Sequence, residues 1–130
     1  MVKIEAYCPD AAFNPPTYTQ GIKVTGAETL LFLSGQVAYT PDGGVLHPGD
    51  FKGQARAAFQ AIKDLAEAGG GDLSNVIKLN TFVTDMLYRN DLGIVREEFF
   101  PNGSPASTLV EISRLAHPDW LIEIEAIAVL

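Results

Sequence analysis

The chain has 130 residues, of which 47% are hydrophobic and 19% are charged, and its net charge is −7, from 16 acidic against 9 basic residues. This composition indicates one folded domain over 1–130 that is long enough to bury a core, and it excludes an intrinsically disordered chain. No cluster of lysine and arginine is present, so a nucleic-acid partner, which needs basic groups against its phosphates, is disfavoured. No apolar run approaches the roughly 20 residues of a membrane span, and residues 1–6 alternate like a strand instead of forming a signal peptide, so we expect a cytoplasmic protein.

Three strands are predicted before the first helix, at 2–7, 20–25 and 29–37, and the first of them has alternating apolar residues. The third is apolar on both faces, which predicts a central position in the sheet. It ends in Ser34, Gly35 and Gln36, where the glycine indicates a bulge or a close approach of another group to the backbone. Cys8, the one cysteine, cannot form an internal disulfide, and we interpret it as a buried or edge thiol.

Two helices follow. The first begins after Asp50, a good N-cap, and ends at the glycines 69–71, one of which is expected to be left-handed. The second runs from about 90 or 91 to 100, with Leu92, Val95 and Phe99 facing inward. The first helix carries an apolar stripe made of Phe51, Ala55, Ala58, Phe59, Ile62, Leu65 and Ala66. The glycine run follows a helix and lacks a Lys-Ser/Thr pair, so it does not predict a phosphate loop, and His47 and His117 do not have the spacing of a metal site.

The last strands are predicted at 76–84, 105–114 and 121–129. In the final strand Ile122, Ile124, Ala126 and Ala128 share one face, and Glu123 and Glu125 share the other. The element order β-β-β-α-β-α-β-β predicts an α+β domain, a two-layer sheet with two helices on one face. The other face of the sheet is then open, and we expect it to contact a partner in a symmetric oligomer. The apolar residues placed there by their alternation are Phe82, Leu109, Leu121, Ile127 and Val129.

The chain resembles the reactive intermediate deaminase family, RidA, also called YjgF-like. The segments that carry the resemblance are YTQG at 18–21, LSGQ at 33–36, GQAR at 53–56, VIK at 76–78, PASTLVE at 105–111 and IEIEAIAV at 122–129. The resemblance implies a chorismate-mutase-like, RidA-like fold and a homotrimer with a central barrel and three clefts between subunits. It also implies hydrolysis of enamines and imines of small metabolites, without a metal or an organic cofactor.

The resemblance assigns roles to particular residues of this chain. Tyr18 matches the tyrosine of the family's cleft, Ser34 matches the serine of Ser-Gly-Gln, and Glu123 matches the glutamate that holds the attacking water. A carboxylate beside a pocket can orient water and transfer protons, which makes Glu123 the candidate catalytic residue.

Three other positions depart from the family's pattern. Ser107 stands where the typical deaminase has an arginine that clamps the substrate carboxylate, Gly93 where it has an asparagine, and Leu109 where it has a cysteine. A serine has no charge and one donor, so it cannot replace a guanidinium. Ser107, Gly93 and Leu109, with Tyr18 and Ser34, are therefore candidate substrate-binding residues of an altered site.

Several alternatives stay open at the level of sequence. The chain could be a hydrolase whose substrate is neutral or bears its anion elsewhere, a non-catalytic trimer that binds a small metabolite, or a ribonuclease, which the acidic charge disfavours. Lys78 could reach the cleft, although pairing with Glu111 or Glu125 is the favoured interpretation. Arg114 is interpreted as an ion-pair or trimer-contact residue, and Arg89 and Arg96 as solvated.

Overall fold

The predicted order of strands and helices is confirmed by the computed structural model, which describes residues 1–130. The strands are β1 (Lys3–Tyr7), β2 (Gly21–Thr25), β3 (Leu30–Gln36), β4 (Val76–Val83), β5 (Ala106–Glu111) and β6 (Ile122–Val129). The helices are α1 (Phe51–Ala68) and α2 (Arg89–Phe99), and short 3₁₀ turns at Leu73–Asn75 and Met86–Tyr88 precede β4 and α2. Neither helix is long and apolar enough to cross a membrane.

The strands form two sheets. Strands β1 and β2 pair as an antiparallel hairpin, and the other four follow the order β3-β6-β4-β5. Strand β6 is antiparallel to both of its neighbours, whereas β4 and β5 are parallel and are joined through α2. Such a crossover is the usual connection between parallel strands, because a tight turn can join only antiparallel ones.

The core lies between the helices and one face of the four-stranded sheet. The predicted buried face of β6 is confirmed, since Ile122, Ile124, Ala126 and Ala128 are all at most 4% exposed. Leu79 and Val83 of β4 and Leu92 and Val95 of α2 complete this layer. The two-layer α+β architecture with helices on one face therefore follows from burying these two apolar surfaces against each other.

The stripe of α1 is confirmed except at one position. Leu65 is 37% exposed, whereas Gln54, which the apolar pattern passed over, is fully buried. The Gln54 side chain donates to the carbonyls of His47 (3.2 Å) and Asp119 (2.8 Å) and accepts from the Leu121 N–H (2.8 Å). A buried amide is tolerated here because its hydrogen-bonding groups are satisfied.

Both ends of α1 have the predicted caps. The Asp50 side chain accepts a hydrogen bond from the Gly53 N–H at 3.0 Å, which satisfies one of the free donors of the first turn. After the helix, Gly70 has a φ of +100°. The glycine run is thus a helix stop, because a residue with a β-carbon is strained in that conformation.

The prediction that β3 is central is wrong, because β3 forms an edge of the four-stranded sheet. Leu31 and Leu33 pack against the core, but Leu30 and Phe32 are 56% and 72% exposed on the opposite face. The strand is apolar on both faces although only one of them is covered within the chain.

The predicted membership of the open face is corrected at three positions. Leu109 and Leu121 pack against the core. Val129, at the end of β6, is only 1% exposed. The carbonyl of the next residue, Leu130, accepts hydrogen bonds from the backbone N–H groups of Glu28 and Thr29 in a neighbouring turn. Leu109 is turned inward because β5 pairs with β4 in a register that aligns it with the buried Thr81. The prediction holds for Phe82 and Ile127, which are half-buried on the open face. We call these two residues, with Leu30, Phe32 and Val110 (40% exposed), which the prediction did not include, the open-face strip.

Candidate functional site

The segment before β2 places Tyr18 beside the start of β5. Thr19 forms an isolated parallel bridge with Ala106, and its hydroxyl donates to the Ser104 carbonyl at 2.8 Å. The hydroxyl bond joins residues that are 85 positions apart in sequence. The bridge and this bond fix the half-buried Tyr18 next to the strand that carries Ser107.

Four of the six predicted site residues line one cleft. It has a volume of about 860 Å³ and lies between Thr17 and Tyr18, helix α2 and the first half of β5. Tyr18, Gly93, Ser107 and Leu109 all line it, and we call it the helix-side cleft. The volume lies in the range of small-molecule sites.

A smaller cavity of about 220 Å³ adjoins this cleft and shares Tyr18, Gly93 and Arg96 with it. Ser104 also lines the smaller cavity. This serine is 8% exposed, and its hydroxyl oxygen is buried without a hydrogen-bond partner. Buried polar atoms are nearly always paired, so an orphaned one indicates a place where another polar group is expected.

Two arginines of α2, Arg89 and Arg96, line the helix-side cleft, and the sequence interpretation of them as solvated is wrong for Arg96, which is half-buried. Burial lowers the pKa of Arg96, and the positive charge of Arg89 lowers it further. The signal in the sequence was their spacing with Gly93, at four and three residues, which puts all three on one side of a helix.

The other two predicted residues, Ser34 and Glu123, lie near each other on the opposite side of the sheet. Glu123 on β6 lies opposite Phe82 on β4, and both side chains are on the open face. Its carboxylate lies against Gly35, where a β-carbon would overlap it. The β3–β6 register also shifts between Leu33 and Gln36. Both the bulge and the close approach expected at Gly35 are therefore confirmed. Ser34, which is exposed, directly precedes Gly35 and so lies near Glu123.

A single chain does not bring the six residues together. Ser107 aligns with Leu79, which faces the helices, whereas Glu123 aligns with Phe82, which faces away from them. The alternation that placed Leu109 on the open face also puts Ser107, two residues earlier in the same strand, on that face with Glu123, and this expectation is wrong. The candidate site consists of two parts separated by the thickness of the sheet.

The favoured pairing of Lys78 is also wrong. Its ammonium donates to the Thr108 hydroxyl at 3.0 Å on the open face. Glu111 and Glu125 have other partners, the Met86 N–H (2.8 Å) and the Asn80 side-chain amide (2.9 Å). Arg114 is exposed and forms no ion pair within the chain, so only its role as a trimer contact stays a prediction.

The two parts have complementary chemistry. The helix-side cleft offers hydrogen-bond donors, namely a phenol, hydroxyls and two guanidinium groups, which suit an anionic or carbonyl-bearing molecule. The open face offers the Glu123 carboxylate, which can accept a proton and orient a water molecule. No group of three or more His, Cys, Asp or Glu side chains is placed to hold a metal ion.

Comparison with protein families identifies one that covers nearly the whole chain. A family model described as "Endoribonuclease L-PSP" matches residues 10–130. A RutC family protein of Pyrococcus horikoshii is 41% identical over 111 residues, which are 85% of this chain and 85% of the relative. A RutC family protein of Sulfurisphaera tokodaii is 39% identical over 110 residues, again 85% of each chain.

Solved structures agree with this result. A Rid-family protein of unknown function from Yersinia pestis has a TM-score of 0.85 over 98% of both chains at 24% identity, a likeness of fold alone. E. coli TdcF, solved with bound serine, has a TM-score of 0.72 and 32% identity over 92% of this chain and 91% of its own. The α+β fold described above is thus the Rid fold.

Proposed function

The chain belongs to the endoribonuclease L-PSP family, which includes the RidA-like (YjgF) proteins, and we propose that it is a cofactor-free hydrolase that deaminates a small imine or enamine. The reaction takes place in a cleft between two subunits of a homotrimer. Glu123 is the catalytic residue, and Tyr18, Ser34, Gly93, Ser107 and Leu109 bind the substrate.

The observation that carries this proposal is the division of the candidate residues between two faces. Tyr18, Gly93, Ser107 and Leu109 line the helix-side cleft, whereas Glu123 and Ser34 lie on the open face with the open-face strip. An exposed apolar strip of this kind favours contact with another copy. In the proposed trimer, Glu123 of one subunit reaches the helix-side cleft of the next, so that only the assembly completes the site.

The chemistry needs little more than a placed water molecule and a proton acceptor. The protonated imine carbon is electrophilic. Water attacks it, a C–O bond forms, and the Glu123 carboxylate takes the proton that the water loses. Glu123 then returns this proton to the nitrogen. The C–N bond breaks with its electron pair going to nitrogen, the hydroxyl proton passes back to the Glu123 carboxylate and on to the departing ammonia, and the products are ammonium and a carbonyl compound. An enamine enters the same sequence once its β-carbon has taken a proton.

Ser107 sets the substrate preference in this proposal. By resemblance, it stands where typical deaminases clamp a carboxylate with an arginine, and a hydroxyl cannot form that bidentate, charged contact. The substrate therefore is neutral, or its anion is bound by other residues. A small metabolite is favoured because the related TdcF structure holds serine and because the cleft has a volume of about 860 Å³.

A second candidate function is a trimer that binds a small metabolite without transforming it. The observation in its favour is that Ser107, Gly93 and Leu109 replace, by resemblance, an arginine, an asparagine and a cysteine at once. Ribonuclease activity, which the family's description carries, is disfavoured by the net charge of −7, because RNA binding needs several cationic contacts to phosphates.

The test is ammonia release from enzymatically generated 2-aminoacrylate and from a bulkier imine. We expect release above the spontaneous rate with the wild type and none with Glu123→Gln. The matched control is Glu125→Gln, since Glu125 lies on the same face and its oxygen accepts from Asn80, a bond that glutamine retains. Activity that survives Glu123→Gln contradicts the role of Glu123, and no release from either substrate favours the binding protein.

Ser107→Arg tests the substrate preference separately. If the cleft is otherwise intact, a guanidinium at this position should strengthen binding of a small ketoacid by about tenfold or more. Calorimetric titration measures the change. An unchanged affinity would mean that the cleft has been remodelled for another kind of ligand.

A further inference from the structure

We propose that Arg89 and Arg96 form an oxyanion-binding site in the helix-side cleft, so that this chain recognises the carboxylate or phosphate of its ligand from helix α2. The inference deepens the proposed function, on which it rests, by naming the chemical class of the ligand. It assigns to two residues of α2 the role that Ser107 on β5 cannot perform.

The helix spacing brings the two arginines to the same wall. Arg89, Gly93 and Arg96 follow one another at intervals of four and three residues, which is one face of an α-helix. All three line the helix-side cleft. A β-carbon at Gly93 would meet no atom within 4 Å, so the glycine leaves open space on the helix face between the positions of Arg89 and Arg96.

Neither arginine has a partner of opposite charge within the chain. The ion pairs of the chain involve Lys3, Lys52, Arg56 and His117, and no side-chain hydrogen bond involves Arg89 or Arg96. Arg96 is half-buried and loses hydration, and the positive charge of the exposed Arg89 repels it, so that both effects lower the pKa of Arg96. A bound anion would remove both penalties and accept bidentate hydrogen bonds.

A second, independent feature indicates the same place. Ser104 lines the adjoining cavity with Tyr18 and Arg96, and its buried hydroxyl has no partner. A rotation of the Ser104 side chain toward the cavity would let this hydroxyl donate to an oxygen bound near Arg96. The small cavity, about 220 Å³, has room for a carboxylate or phosphate head group, and the larger cleft has room for the rest of the ligand.

The local charge also favours an anion, although the chain as a whole is acidic. Two arginines line the two cavities, against one carboxylate, Glu97, which is exposed. A cleft with low-dielectric walls concentrates the field of such charges. The two arginines thus attract a small anion to this cleft, although the net charge of −7 repels anions from the rest of the protein.

The experiment is isothermal titration of the full chain with three probes: 2-oxobutyrate, its neutral amide, and inorganic phosphate. The wild type should bind one of the two oxyanions at least tenfold more tightly than the amide, and the tighter of them identifies the head group. Arg96→Met should weaken that oxyanion by about 10- to 100-fold, the usual effect of losing a charge-assisted hydrogen bond. Arg89→Met should weaken it in the same direction. Lys23→Met, which removes one exposed positive charge outside the cleft, should change it less than twofold.

Two further measurements separate a direct contact from a general effect on the fold. Arg96→Lys keeps the charge but not the planar fork, so its affinity should fall between those of the wild type and Arg96→Met. The thermal midpoint of the wild type should rise with the oxyanion, and that of a folded Arg96→Met should not. Equal affinity for the anion and the amide, no binding of any probe, or full affinity in Arg96→Met would overturn the proposal.

The same titrations distinguish this inference from the proposed function. Arg96-dependent binding of an oxyanion without any ammonia release supports the oxyanion site and counts against the hydrolase. Glu123-dependent ammonia release with equal binding of the anion and the amide overturns the oxyanion site and leaves the hydrolase in place.

Discussion

Replacing Gln54 by methionine should destabilise the protein far more than an ordinary surface change. Gln54 is fully buried and forms three hydrogen bonds, two to the carbonyls of His47 and Asp119 and one from the Leu121 N–H. Methionine fills a similar volume, so packing is nearly conserved and the loss is that of the three bonds. At about 1 to 2 kcal/mol for each, the sum is about 3 to 6 kcal/mol.

The lower end of that range is the expected value. His47 and Asp119 are exposed residues whose carbonyls can regain water, whereas the N–H of the half-buried Leu121 has less access to it. A loss of about 3 kcal/mol is a large part of the stability of a domain, which is about 5 to 15 kcal/mol. The Leu121 N–H lies two residues before Glu123, so Gln54→Met should also reduce any activity that depends on Glu123.

The assay is urea unfolding of both proteins at one protein concentration, since assembly contributes to apparent stability. The matched control is Gln60→Met on the same helix, where the exposed Gln60 amide donates only to Asp64, at 2.9 Å. The control should lie within about 0.5 kcal/mol of the wild type. A loss below about 1 kcal/mol in Gln54→Met, or one equal to that of the control, would refute the argument.

Three further predictions concern the cleft, the open face and a surface ion pair. Gly93→Ala should raise the free energy of unfolding by about 0.5 to 1 kcal/mol, because the added β-carbon meets no atom within 4 Å and alanine favours a helix. A less stable variant in urea unfolding would contradict this expected gain in stability. The same change should weaken oxyanion binding, because it fills space on the helix face between Arg89 and Arg96. Phe32→Lys, at a site 72% exposed, should yield folded monomers in sedimentation if the open-face strip is the subunit contact, and an unchanged oligomer would exclude that contact. Arg56 lowers the pKa of the Glu98 carboxyl, first through its hydrogen bonds and then through its charge. The pair's contribution to stability is therefore present above the carboxyl's unfolded pKa and is lost as the pH falls through the lower folded value, and an NMR titration should find a higher Glu98 pKa in Arg56→Met than in the wild type.

The local elements followed directly from the sequence. Alternation identified the buried face of β6, intervals of three and four identified the stripe of α1, and Asp50 and the glycine run marked its ends. These features depend on contacts between near neighbours along the chain, which a periodic pattern records. The close approach at Gly35 was also predicted, although the approaching group, Glu123, is distant along the chain, because a glycine in a strand marks a place where a side chain has no room.

The position of the strands and the composition of the cleft did not follow from local patterns. Alternation determines which residues of β5 share a face, but both of its faces are mixed, so the pattern placed Leu109 on the wrong one. Its parallel register with β4, made through a crossover, turned Ser107 and Leu109 toward α2 and away from Glu123. Gln54 escaped detection because its burial depends on partners up to 67 residues away.

The sequence by itself thus determined the order of the elements, the inward faces of α1 and β6, and the family of the chain, since these depend on short-range periodicity and on segments that can be compared directly. Only the tertiary structure decided that the candidate residues form two groups on opposite faces of the sheet, and that Arg89 and Arg96 enter the cleft with Tyr18 and Ser107. The physical reason is that strand register and the packing of α2 join residues that are distant along the chain, so no local pattern specifies them.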